Sequence, residues 1–205
     1  MTRLEVGAEK TIRTFQYFTD NYKKVIKERD KSFYRKKGNS EEDNFDFVIN
    51  EYTGEDYWCL NDYLRGDGAY RYSEKDLKSW AWCLHSSLQY LESNVPNYTT
   101  VYRGINAYAP DSWKEGDRFY FGEFVSTSKN EDTAYNFSGE KTMLKITIKN
   151  NGNNGYNNYC KDISDISQYN DEEEILLTAF CRYDITDIRR DSYDVDVFYL
   201  DCIGY

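Results

Sequence analysis

The sequence predicts an α+β fold, a helical N-terminal half packed on a mostly antiparallel β-sheet. Two observations predict it. Up to about residue 95 the apolar side chains recur at the three- and four-residue spacing of a helix, and after Pro96 the period becomes two. In the first half, Ile12, Phe15, Phe18, Tyr22 and Ile26 form one helical stripe and Phe45, Val48 and Tyr52 a second. Tyr57, Leu60 and Leu64 form a third, which Gly66 is placed to end. The longest helix starts at Ser73, which makes a capping arrangement with Asp76. Leu77, Trp80, Ala81, Leu84, Leu88 and Leu91 give it a continuous apolar face, and Pro96 marks its exit.

In the second half, TTVYRG is a short strand, and RFYFGEFVSTS reads as a strand, a Gly turn and a strand. EDTAYNF is a short helix or loop with Phe137 at its end. TMLKITIKN alternates cleanly, and EILLTAFCRYDI and DVDVFYLDCI supply one strand each. The intervening NNGNNGYNNYCKD repeats Asn-Gly turn signals and reads as a loop. No internal repeat interrupts the pattern, so the chain reads as one domain over 1–205, with 1–95 the helical lobe and 96–205 the β core.

Composition narrows the function. The 205 residues carry a formal net charge of −10, which argues against a nonspecific nucleic-acid binder, since a polyanion must be met by clustered Lys and Arg. No apolar run reaches the roughly 18 residues of a membrane helix, and the N-terminus lacks the apolar stretch of a signal peptide. That leans towards a cytoplasmic protein, with a secreted effector as the other possibility. Two sequons, at Asn97 and Asn136, fit the same lean, because a glycan at Asn136 would crowd the site described below. Cys59, Cys83, Cys160, Cys181 and Cys202 are odd in number and lack zinc spacing, so they read as buried thiols in a reducing compartment. His85 is the sole histidine and falls among Trp and Leu on the Ser73 helix, as a structural residue would. No metal site, Ser–His or Cys–His pair, or phosphate-binding glycine loop is therefore expected. Any chemistry falls to carboxylates, Arg, hydroxyls and aromatics.

Three short segments supply such groups. Arg103 is followed by Gly104 at the end of an apolar strand. Ser126, Thr127 and Ser128 close the next strand but one. Glu172 and Glu174 stand two apart in SQYNDEEEILLTAF, and a strand would put both on one face with Glu173 on the other. Like charges sharing a face raise one another's pKa, and a chain tolerates them where a cation will sit. Glu173 and Asp171 read as solvated loop charges.

In this order the segments resemble the arginine-specific mono-ADP-ribosyltransferases, the family of the vertebrate ecto-enzymes and the clostridial binary toxins. The pattern is Arg on one strand, Ser-Thr-Ser on another, and Glu-x-Glu entering a third, with an aromatic three residues before the first Glu, here Tyr169. Ser126 lies 23 residues after Arg103 and Glu174 a further 48 along, which also fits. The likeness spans roughly residues 55 to 182, with DYWCLNDYLRG and LESNVPNYTTVYRG as its helical approach.

The resemblance implies a split sheet and cleavage of the nicotinamide–ribose bond of NAD, with no metal. Glu174 would face the positive charge that develops on the ribose, as in an oxocarbenium-like transition state. A carboxylate about 4 Å from that charge, at an effective dielectric near 20, is worth on the order of 4 kcal/mol, roughly a thousandfold in rate. Ser126 would fix the Glu174 rotamer, with Thr127 and Ser128 supporting the pocket. Arg103 would pair with the pyrophosphate, Gly104 would offer backbone groups to the nicotinamide amide, and Phe137 would pack on its ring. Glu172 would orient an acceptor arginine and take its proton, and Tyr169 would contact the acceptor protein. The implied partners are NAD and a protein presenting arginine, with the enzyme acting as a monomer. An NAD glycohydrolase on the same scaffold, and a catalytically silent NAD- or partner-binding module, are the alternatives.

Overall fold

The computed structural model describes residues 25, 29–30, 32–35, 43–66, 71–92, 94–149, 159–179 and 181–204. The stripe from Ile12 to Tyr22, with Ile26, lies outside the described residues. The remaining helical stripes form as expected. Helix α1 is a single turn, Ser32–Arg35, and α2 spans Asp43–Thr53. Helix α3 runs Tyr57–Arg65 and stops at Gly66, whose left-handed φ of 74° lets its N–H turn back to the carbonyls of Asp62 and Tyr63. Helix α4, Glu74–Tyr90, begins where Ser73 accepts a hydrogen bond from the Asp76 N–H. It ends well before Pro96, and the buried Lys161 ammonium donates to the Leu91 carbonyl. A cation there satisfies an orphan acceptor and opposes the helix dipole. Helix α1 is fastened to α4 through Ser79 Oγ, which accepts from the Phe33 N–H at 2.9 Å and donates to the Asp30 carbonyl.

Eight strands follow: β1 Thr100–Ile105, β2 Arg118–Tyr120, β3 Val125–Ser128, β4 Thr142–Lys149, β5 Cys160–Asp162, β6 Glu174–Leu177, β7 Arg182–Arg190 and β8 Asp196–Ile203. Helix α5, Glu131–Ser138, sits between β3 and β4. The spatial order is β2-β7-β8-β4-β1-β3-β6-β5, with every pairing antiparallel except β4–β8. The join between β1 and β3 is a single Cα pair, Tyr102 with Ser128, whereas β1 and β4 share six. The sheet is therefore split there, and both parts fold over one core. That core unites Val125, Ile175 and Leu177 with Leu144, Ile146 and Phe198. A second core lies under the helices and takes Leu176 from β6 and Phe124 from the loop before β3. Strand β6 is thus buried on both faces, which is why EILL shows no polar alternation.

Three expectations are corrected. EILLTAFCRYDI is two strands in different parts of the sheet, broken after Leu177, where the Thr178 N–H turns to the Tyr159 carbonyl. The Asn-rich stretch read as a loop ends in a real strand, since Cys160–Asp162 pairs with Leu177–Ile175. RFYFGEFVSTS does supply two strands, but β2 pairs with β7 while β3 pairs with β1 and β6. The segment therefore carries the chain from one part of the sheet to the other.

Candidate active site

Arg103, Ser126 and Glu174 lie on β1, β3 and β6, three neighbouring strands. They share a cavity of about 500 Å³ at the split, a size suited to a small-molecule ligand. Of the other expected site residues, Gly104, Thr127, Ser128, Phe137, Tyr169 and Glu172 all border it. Helices α2 and α3 close one side through Tyr52, Tyr57 and Asn61, and α5 the other through Thr133 and Ala134.

Gly104 has a steric reason to be glycine. A Cβ there would collide with the Ala134 carbonyl oxygen and the Ser138 backbone nitrogen, so only glycine lets α5 lie against β1. That helix is capped by Asn130, whose side chain accepts from the Asp132 and Thr133 N–H groups. Its far end presents Phe137, exposed at the cavity mouth along with Tyr57 and Tyr169.

Glu172 reaches the cavity by a different route from the strand geometry expected of it. Residues 170–172 form a 3₁₀ turn, and Glu173 adopts a left-handed φ of 49° before β6 begins at Glu174. The two carboxylates share the cavity because the backbone reverses at Glu173, and not because of period two. Ser128 Oγ secures this turn, donating to the Glu172 carbonyl at 2.7 Å while accepting from the Asn130 N–H. Gln168, one residue before Tyr169, anchors the turn to α2 through Thr53 Oγ1 and the Asn50 carbonyl. Thr127 Oγ1 donates to the Ile175 carbonyl, tying β3 to β6.

Glu174 is 5% exposed and forms no ion pair in the described structure. The Ser167 hydroxyl donates to it at 3.4 Å, and the Ser126 hydroxyl lies close enough to favour its charged form. Burial dominates its titration and lifts its pKa from 4.5 to about 7; the two hydroxyls and the Arg103 charge oppose the rise, and Glu172 adds to it. The Glu172 carboxyl is itself raised, by burial first and then by Asp171. Burial likewise pushes the Tyr52 phenol up to about 12, so it stays neutral. Asn61 Nδ2 donates to Tyr52 Oη at 3.0 Å, while Asn61 Oδ1 is buried with no partner among the described residues.

Arg103 borders the cavity with its side chain 21% exposed and is held by Glu123, Nη2 to Oε1, at 2.8 Å. Arg65 also donates to Glu123. Tyr52, Asn61, Glu123 and Ser167 were given no site role from the sequence. Tyr52 was read only as part of a helical stripe and Ser167 only opens the acidic segment, because a lone Ser or Tyr carries no pattern of its own. The five cysteines are all buried and none is in a disulfide, and His85 is buried with its pKa lowered to about 4 by desolvation. Among the described residues, no group of His, Cys, Asp and Glu is arranged to hold a metal ion, and no helix is long and apolar enough to cross a membrane.

A split sheet with Arg, Ser and Glu on adjacent strands around one cavity is the architecture of an ADP-ribosyltransferase. The family model described as ADP-ribosyltransferase exoenzyme matches residues 21–198, and the chain belongs to that family. It is a transferase that uses NAD as its ADP-ribose donor. Solved structures agree on the fold. The Vis ADP-ribosyltransferase of Vibrio splendidus, solved with agmatine, is 21% identical, with a TM-score of 0.59 over 78% of this chain and 74% of its own. HopU1 of Pseudomonas syringae is 22% identical, with a TM-score of 0.60 over 77% and 76%. Exoenzyme S of Pseudomonas aeruginosa, solved with human 14-3-3 protein beta and carba-NAD, is 19% identical, with a TM-score of 0.61 over 91% and 87%. No curated protein sequence matches the chain.

Proposed function

We propose that the protein transfers ADP-ribose from NAD to an arginine side chain of a protein acceptor and releases nicotinamide. The observation that carries the reading is the pair of carboxylates in one cavity, Glu174 deep and buried, Glu172 nearer the mouth beside exposed Tyr169. Glu174 faces the ribose and stabilises the positive charge that grows there as the C–N bond breaks and its electron pair leaves with nicotinamide. Ser126 holds that carboxylate in place, and Arg103 receives the diphosphate. Glu172 orients the acceptor guanidinium and takes its proton as a guanidinium nitrogen bonds the anomeric carbon. A protonated arginine is a poor nucleophile, so a second carboxylate has a chemical task that NAD hydrolysis alone does not require. Agmatine, bound in the Vis structure, is itself a guanidinium compound, which supports the same acceptor class.

The test uses labelled NAD with agmatine or an arginine-rich protein and follows both label transfer and free nicotinamide. Glu172→Gln is expected to lose transfer while some nicotinamide release survives. Equal loss of both contradicts an acceptor-specific role for Glu172. The transferred label is expected to be released by hydroxylamine and not by mercury; the reverse indicates a cysteine acceptor.

A further inference from the structure

Beneath the cavity, three charged side chains form a bridge that the reaction does not itself call for. Glu123 lies in the loop between β2 and β3 and is 5% exposed. Its Oε1 accepts from Arg103 Nη2 at 2.8 Å and its Oε2 from Arg65 Nη1, while Arg65 also pairs with Asp62. Phe121, two residues earlier in the same loop, has its ring 5.4 Å from the Arg103 guanidinium carbon. Arg103 borders the cavity, and neither Glu123 nor Arg65 does.

A guanidinium held at one edge by a carboxylate and at its face by an aromatic ring has little freedom left. Its plane is set, and its remaining N–H groups point away from the carboxylate. Without Glu123, burial would leave a desolvated cation on a flexible stem, and the direction of its fork would not be defined. Arg65, itself bound to Asp62 on α3, secures the second oxygen of Glu123 and so connects the loop to the helical lobe.

We propose that Glu123 is a positioning residue. It fixes the Arg103 guanidinium from the protein side, so that the opposite edge of the fork is presented to the diphosphate of NAD before NAD arrives. The proposal rests on the reading of the cavity as an NAD site. It extends the binding machinery to a loop acid that never touches the substrate.

The test compares a ligand that carries the diphosphate with one that does not. ADP binding is measured by calorimetry and nicotinamide binding by ligand-observed NMR, on the full chain and on Glu123→Gln. The variant is expected to bind ADP about tenfold more weakly, since an aimed hydrogen bond to a charged group is lost, and to bind nicotinamide as the unmutated chain does. Glu123→Asp, which keeps the charge, recovers part of the ADP affinity. Equal weakening of both ligands marks a merely structural role and overturns the proposal. Unchanged or tighter ADP binding by Glu123→Gln also overturns it and leaves the NAD reading standing. An unmutated chain that binds neither ligand overturns both. One measurement needs no variant: the ¹⁵N–¹H signals of the Arg103 guanidinium are expected to show hindered rotation before ADP is added, and free rotation contradicts the assignment.

Discussion

Glu123 and Glu174 are both 5% exposed, and both act on Arg103, yet they occupy opposite chemical situations. Glu123 receives two guanidinium groups. Glu174 has only hydroxyls about it, accepting from Ser167 at 3.4 Å with Ser126 nearby, and Arg103 reaches it as a field without a bond. A carboxylate saturated by cations does structural and orienting work. One left with neutral donors keeps an unmet need for positive charge, which appears as a pKa lifted to about 7. A cation that develops beside it is then stabilised in the transition state more than in the ground state. On the proposed function, the difference separates the glutamate that does the chemistry from its equally buried counterpart.

The contrast makes opposite predictions for stability. Glu123→Ala leaves Arg103 and Arg65 without their shared partner and is expected to lower unfolding stability by about 3 kcal/mol. That is the low end for a broken buried pair, because the Arg65 side chain is 35% exposed. Chemical denaturation checks it, and a change near zero removes the distinction. Glu174→Gln is expected to stabilise the chain, by up to about 3 kcal/mol at pH 8 for a shift of this size. The sign follows from linkage. Because the folded pKa lies above the ordinary value of 4.5, the folded state binds more protons between about pH 4.5 and 7, and stability falls as pH rises through that window. The gain from Gln should therefore be absent below that window and fully developed above pH 7. A gain independent of pH contradicts the assignment.

Smaller effects probe the hydroxyls. The free enzyme's kcat/KM for NAD cleavage should lose activity as pH falls through about 7, where Glu174 takes up its proton. The Ser126 hydroxyl favours the carboxylate, so in Ser126→Ala the acid limb should move upward by about one pH unit or less. Ser167→Ala, which loses a 3.4 Å contact of smaller influence, should move it less. An acid limb that stays put in both variants dissociates the hydroxyls from the titration.

Much of the fold was legible because it rests on local rules. Ser73 and Gly66 end helices for reasons of capping and backbone freedom that a sequence displays directly. Arg103, Ser126 and Glu174 were legible as an ordered set, through the resemblance of their three short segments to one family's motifs. What the sequence concealed depends on long-range contact. Cys160–Asp162 is too short to show a period and is a strand only through its pairing with β6. Glu173 enters the left-handed region with a side chain that does not announce it. Glu123 looks like any solvated loop acid until Arg65 and Arg103, 58 and 20 residues away, close on it. The carboxylate pair was found by a strand argument that the 3₁₀ turn replaces, so the expected residues meet for a different reason.

The central claim is that Glu174, buried beside hydroxyls and without an ion pair among the described residues, stabilises charge on the ribose. The rate of nicotinamide release from NAD by folded Glu174→Gln tests it most directly. The account predicts a fall in kcat of roughly a thousandfold with KM for NAD little changed. A variant that keeps more than about a tenth of the unmutated rate contradicts it.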